Sequence, residues 1–411
     1  MRQRRRFRTV RSAVSAVAVI GTLAGAALTG AAPASGAPRA AQIAPGVLYA
    51  QFDITAAKGV THAHLLSVDL ANARVRVNLL HPGAVAARAA VSTMTDAQGA
   101  VAGVNGDFFN INETQHPGVP ATGASVGPTI ASGMVLKAAV PGGQRFGPSM
   151  PPGVTTGAVL GVGVDRRARL DDLTLSGSVR TPAGRFALGG LNQYALPTGS
   201  IGAYTQVWGS VSRARTVCGT DTDRAAPCSA DTYEVTVRRG KVVRMADSPG
   251  LGAIAADTTV LVGREAGAQQ LRKLYVGAKV KVKSRLVAAR SRVPYRFALG
   301  GYPVLQDGRP LTGLDTNTSA VRTAVGIANS GRKLLLLAVD GAPGYRSGLT
   351  IAEVAATMRK LGSVDAFSLD GGGSTTFVAR APGASRVTVR NHPTGGAERP
   401  VPNAIGVFLT S

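Results

Sequence analysis

Two apolar runs separated by one helical repeat dominate the C-terminal part of the chain. Residues 334–339 are uninterruptedly apolar and end in Asp340-Gly341; a second run ends at Leu369 and opens into Asp370-Gly371-Gly372-Gly373-Ser374. Runs of this length, bounded by turn residues, read as buried strands. Between them Thr350-Ile351-Ala352-Glu353 forms a capping box. Ile351, Val354, Ala355, Met358 and Leu361 recur at helical spacing, and Gly362 supplies the stop. Strand, helix and strand of these lengths predict a β-α-β unit with parallel strands, which delivers Asp340 and Asp370 to the same sheet edge.

Upstream, alternation over 64–70 and 74–80 predicts two strands paired around a turn at 71–73. His62 and His64 would share one face of the first; two histidines without a third ligand read as ordinary strand residues. An alanine-rich stretch, 85–98, predicts a helix stopped by Gly99. A short strand of small residues follows and ends in Asn105-Gly106-Asp107-Phe108-Phe109. Residues 114–133 lack periodicity and would suit a loop bordering a pocket. From 177 to 290 short β-like runs alternate with turn signals, including a hairpin turn at Arg238-Arg239-Gly240-Lys241. The predicted class is α+β: a main domain (38–176 and 291–411) with a central mixed sheet, interrupted by a small all-β insertion at 177–290.

Composition changes the picture at three places. The formal net charge is +24, and six of the arginines fall within the first eleven residues, ahead of an Ala/Val/Gly-rich run and a small-residue region. That order predicts a signal peptide over 1–37, by the Sec or the twin-arginine route, and hence an exported or cell-wall-associated protein with no permanent membrane span. The remaining positive charge favours anionic surroundings, but no nucleic-acid motif accompanies it. The alternating Lys279–Arg285 run reads as a solvated edge strand. Cys218 and Cys228, ten apart in a Thr/Asp/Pro-dense segment of an exported chain, predict one local disulfide.

The candidate chemistry gathers at glycine turns. Asp370, Asp340 and Asp107 are the carboxylates, each with a rival reading as a turn-capping residue. Arg322 and Arg399 are candidate anion clamps, and Gly371, Gly372, Gly373 and Ser374 would let N–H groups approach an oxyanion. Asn105, Asn403 and Thr323 could bond hydroxyls of a ligand. No histidine motif partners Ser374 as a nucleophile. The aspartates lack an EF-hand-like ladder, so neither metal nor cofactor is assigned, with Ca²⁺ or Mg²⁺ an open alternative.

Five ordered segments, NGDFF, LGGYPVLQDG, RTAVGI, the AVDG to DGGGST unit and ERPVPNAIGVF, together resemble the phosphodiester glycosidase family. Two positions depart from its pattern: Val321 stands where a proline usually precedes the Arg-Thr pair, and Ala342 replaces the arginine of an Asp-Gly-Arg, removing a possible phosphate contact. The resemblance implies hydrolysis of a sugar-1-phosphodiester of the GlcNAc-1-phosphate type, with a carbohydrate phosphodiester of an envelope polymer or glycolipid as substrate. Two alternatives stay beside it: a non-catalytic protein that binds anionic cell-wall polymer, and a metal-dependent phosphodiesterase.

Overall fold

The computed structural model describes residues 40–344 and 347–410, and the predicted signal peptide lies outside them. Among the described residues strands dominate, with three short α-helices, so the α+β class holds with a strong bias to sheet.

The predicted β-α-β unit is present in an eight-stranded sheet. Its strands, Lys333–Val339 and Asp365–Ser368, run parallel to each other without touching, because both pair antiparallel with Thr323–Ala328, which lies between them. Every pair in this sheet is antiparallel. The crossover helix, Ile351–Lys360, starts at the predicted capping box: the Thr350 hydroxyl accepts from the Glu353 N–H, and the Glu353 carboxylate accepts from the Thr350 N–H. It buries Ile351, Val354, Ala355 and Met358 against the sheet. Both strand ends therefore lie on one edge, two strand spacings or roughly 10 Å apart.

A five-stranded sheet meets that edge. It runs Val387–Val389, Phe377–Arg380, Ala102–Asn105, Ala404–Leu409 and Val75–Leu80. The expected pairing of 64–70 with 74–80 does not form. Gly59–Asp69 is taken on both sides by Val47–Ala56 and Lys333–Val339, whereas Val75–Leu80 pairs with Ala404–Leu409. A solvated hairpin would leave Leu66, Val68, Val77 and Leu79 uncovered; in separate sheets all four are buried. The expected helix at 85–98 shrinks to Val91–Ala97. Its first residues spend their backbone groups elsewhere, Val85 and Ala86 on Val207 and Trp208, and Ala89 on Val401.

The segment read as an insertion is not walled off. Strand Ala168–Thr181 runs through position 177 and pairs with Lys281–Ala288, in the seven-stranded sheet that also holds Ala158–Gly163 and Tyr295–Gly300. Lys281–Ala288 pairs on that side only, as a charged edge. A second five-stranded sheet lies entirely within 190–246 and 258–264. Its Tyr204, Val260 and Val262 belong to the same apolar cluster as Leu66, Leu336 and Phe377. Cys218 and Cys228 are disulfide-bonded, as expected.

Candidate active site

The site forms where the Ala102–Asn105 strand meets the edge carrying Asp370. Asn105 is the joint: its Nδ2 donates to the Asp370 carbonyl (2.7 Å), and its Oδ1 accepts from the Thr323 hydroxyl (2.8 Å) and the Thr376 N–H (3.1 Å). Two residues on, the Asp107 N–H donates to Asn403 Oδ1 (2.9 Å). Asn105, Thr323 and Asn403 are thus spent on holding the two aspartate turns in place, not left pointing into solvent.

Asp107 is 1% exposed. Its Oδ2 accepts from the Gly127 N–H (2.6 Å), and its Oδ1 is buried without a hydrogen-bond partner among the described residues. Gly300 lets the chain pass this close: a Cβ there would lie 2.5 Å from Asp107 Oδ2 and 2.6 Å from Gly127 Cα. Burial pushes the Asp107 carboxyl up to about 6, opposed by the charge of Lys137, the Gly127 N–H and Arg145. Lys137 is itself buried, its Nζ donating to the carbonyls of Val126 and Ala138 (3.1 and 2.7 Å). Burial brings its ammonium down to about 7, with Asp107 working the other way. Arg145 lies over the rings of Phe108 and Tyr302, 4.7 and 5.2 Å from their centroids, a pair of cation–π contacts that fix a charge near both aspartates.

Asp370 occupies the facing turn. Its N–H donates to the Gly106 carbonyl (3.0 Å), and its Oδ1 accepts from the Gly371 N–H (2.9 Å). Burial raises its carboxyl to about 6; the Ser374 hydroxyl, the Gly371 N–H and Arg399 oppose that rise, and Asp107 adds to it. Two carboxyls lifted toward neutrality, with Asp107 adding to the rise of Asp370, are what acid–base chemistry near pH 7 needs. Arg399 Nη1 reaches Ser374 Oγ (3.3 Å) and lines an open cleft of about 550 Å³ with Arg88, Ile111 and Thr122. A side chain at Gly373 would collide with the Arg399 guanidinium, 2.2 Å from the built Cβ, so the glycine run is the seat of that arginine. The neighbouring Glu398 accepts from the Ser92 N–H (3.0 Å).

Asp340 and Arg322 stand apart from this cluster. Asp340 is fully buried, and its Oδ1 pairs with His64 Nε2 (2.9 Å) and the His392 N–H (2.7 Å) while Oδ2 pairs with His392 Nδ1 (2.8 Å). Its expected place beside Asp370 is taken by the intervening Thr323–Ala328 strand. Arg322 does not face either aspartate with its hydrogen-bonded N–H groups: Nε donates to the Leu349 carbonyl (2.9 Å) and Nη2 to the Thr318 carbonyl (2.8 Å). It braces the approach to the crossover helix. His62, His64 and Asp340 offer ligand atoms within 4.8 Å of one another. Both ring nitrogens of His64 are engaged, by Asp340 and by Tyr49 (2.7 Å), so a cation there would have to displace those bonds.

Lys137, Arg145 and Gly127 were not singled out from sequence. A lone lysine inside Met134–Lys137 and the apolar residues after it was the available signal. Nothing local distinguishes Arg145 from the other arginines of a basic chain.

The Asp107 and Asp370 turns thus hold two carboxyls raised by desolvation, with the Arg399 guanidinium close by at the wall of a cleft. Residues 231–408 match the family model for phosphodiester glycosidase. The match contains Asp370, Ser374, Arg399 and Asn403, while Asn105, Asp107, Lys137 and Arg145 precede it. No protein of curated function matches the sequence. Among solved structures, a hypothetical protein from Synechocystis aligns at TM-score 0.68 and 20% identity, over 91% of this chain and 64% of that one. The present chain thus spans less than two thirds of that relative. A Burkholderia pseudomallei protein thought to be exported aligns at TM-score 0.64 and 23% identity, over 85% of this chain and 74% of that one. Both show the fold alone. The zebrafish N-acetylglucosamine-1-phosphodiester α-N-acetylglucosaminidase catalytic domain, auto-inhibited by its pro-peptide, aligns at TM-score 0.44 and 16% identity, over 90% and 87%.

Proposed function

We propose that the protein is a secreted glycosidase that hydrolyses a sugar-1-phosphodiester at the anomeric carbon. The observation that carries this reading is the Asp370 turn: a carboxyl raised to about 6, hydrogen-bonded by Ser374, with Arg399 seated on the adjoining glycines at the wall of a cleft. In this scheme ionised Asp370 takes a proton from water as the water oxygen bonds to C1. The C1–O bond to phosphorus breaks, and its electron pair leaves on a phosphate monoester. Such a leaving group needs far less protonation than the alcohol of an ordinary glycoside. Arg399 holds its charge. Asp107 Oδ1, buried without a hydrogen-bond partner among the described residues, keeps acceptor capacity beside the Asp370 turn, and Asn105, Thr323 and Asn403 position the two turns.

Export is supported by the order of basic, apolar and small-residue regions at the N-terminus and by the Cys218–Cys228 disulfide. No helix of the described residues is long and apolar enough to cross a membrane.

Purified protein incubated with a GlcNAc-α-1-phosphodiester is expected to release free sugar, and Asp370→Asn to lower the rate by about 10²–10⁴-fold. Release from none of several sugar-1-phosphodiesters would overturn the activity; release undiminished in Asp370→Asn would overturn only the residue's role. Hydrolysis in ¹⁸O-labelled water separates this reading from a phosphodiesterase: label enters the sugar if C–O breaks and the phosphate if P–O breaks.

A further inference from the structure

A second cleft lies away from the aspartates, on the charged edge of the seven-stranded sheet. It has a volume of about 390 Å³ and is lined by Arg180, Arg239, Lys241, Lys279 and Lys281 together with Thr181, Pro182, Gly240 and Val280. No acidic residue lines it. All five cations are exposed. Arg239 is shared with Asp257 (2.9 Å), which also takes Arg238. Among the described residues no ion pair involves Arg180, Lys241, Lys279 or Lys281.

The register makes this charge costly. Lys281 stands directly opposite Arg180, and Lys279 opposite Lys241. Like charges placed opposite each other across strands destabilise a sheet. Edge strands do carry lysines to block pairing with other chains, and Lys281–Ala288 is such an edge. That role accounts for the lysines of one strand. It does not account for Arg180, Arg239 and Lys241 converging on them from a neighbouring strand and a hairpin turn. Beyond the cleft the cationic ladder continues along the same strand with exposed Lys283 and Arg285, one positive charge about every 7 Å at alternate residues.

We infer that this cleft and strand bind a linear phosphodiester polymer, a chain bearing one negative charge per short repeat, whose charge offsets the like-charge pairs. The inference uses none of the residues assigned to hydrolysis. It would make the protein one that holds a polyanionic chain at one surface and acts at another.

The test uses the full exported chain with poly(glycerol phosphate) as probe, heparin as a sulfated polyanion, and two variants: Lys241→Gln/Lys279→Gln/Lys281→Gln and the corresponding triple Lys→Arg. Dissociation constants are measured at 50 and 200 mM NaCl. The Gln triple is expected to weaken poly(glycerol phosphate) binding about tenfold or more. It should also reduce the slope of log K against log salt by about 2, three lost contacts at about 0.7 each. The Arg triple should bind as the wild type does. Unchanged affinity and slope in the Gln triple would overturn the proposal, and heparin binding as tightly as the phosphodiester chain at equal charge would overturn the assigned occupant. Release of sugar from a small monomeric phosphodiester should be the same in the Gln triple and the wild type; an equal loss in both assays would overturn the separation of the two sites. Binding without any hydrolysis would leave this inference standing and count only against the glycosidase reading.

Discussion

Replacing Asp340 by asparagine tests whether the buried carboxylate acts on the fold rather than on the substrate. Burial alone would push this carboxyl up, but hydrogen bonds from the His64 imidazole and from the backbone and imidazole of His392 more than offset it, leaving it at about 2. The side chain is fully buried, so little is lost to solvent screening. A carboxyl depressed in the folded state stabilises above its unfolded pKa of 3.8, and that stability is lost as pH falls through the folded value. The difference between 3.8 and about 2 corresponds to about 2 kcal/mol at pH 7 and about 1 kcal/mol at pH 3, where the unfolded-state carboxyl is already largely protonated. Urea unfolding of wild type and Asp340→Asn at pH 7, 5 and 3 should show a gap of about 2 kcal/mol at pH 7 that narrows by about 1 kcal/mol at pH 3. A gap that is the same at all three pH values would refute the assignment of ionic stabilisation to Asp340. So would a sharp loss of activity on small substrates with no loss of stability, which would place Asp340 in the chemistry.

Three further outcomes follow from the site and its frame. Below about 6, the rate of sugar release should climb roughly tenfold per pH unit as Asp370 ionises, then level off; a pH–rate profile flat down to 4.5 would exclude Asp370 as the base. Gly300→Ala should cost roughly 1–3 kcal/mol by overpacking against Asp107 and Gly127, read as a drop in Tm, and a neutral result would mean the two loops part easily. Cys218→Ser with Cys228→Ser should cost about 2–3 kcal/mol of unfolding free energy through the opened ten-residue loop, with sugar release from the folded variant unchanged, because neither cysteine touches the aspartate turns.

Local signals carried the Leu334-to-Val378 region well. The capping box, the apolar stripe and the two strands that end in aspartate-glycine turns depend on neighbours within a few residues, where propensity and periodicity act. The family motifs in the same region are local for the same reason. The partners of each turn were a different matter. Asp340 and Asp370 read alike from sequence, as acids at the ends of buried strands. They diverge because Asp340 faces His64 and His392, whereas Asp370 faces Ser374, Arg399 and Asp107. Their pKa values move in opposite directions by burial and pairing, which are properties of space and not of spacing. Lys137 joins the site from a strand of another sheet and Arg145 from a loop, and the 64–70 and 74–80 strands separate because each finds a better apolar cover at long range. The sequence by itself thus determined the capping box and strands of the Leu334-to-Val378 region and the disulfide pair. The tertiary structure decided which aspartates share an environment, because desolvation and charge coupling arise only when distant segments close around the same few atoms.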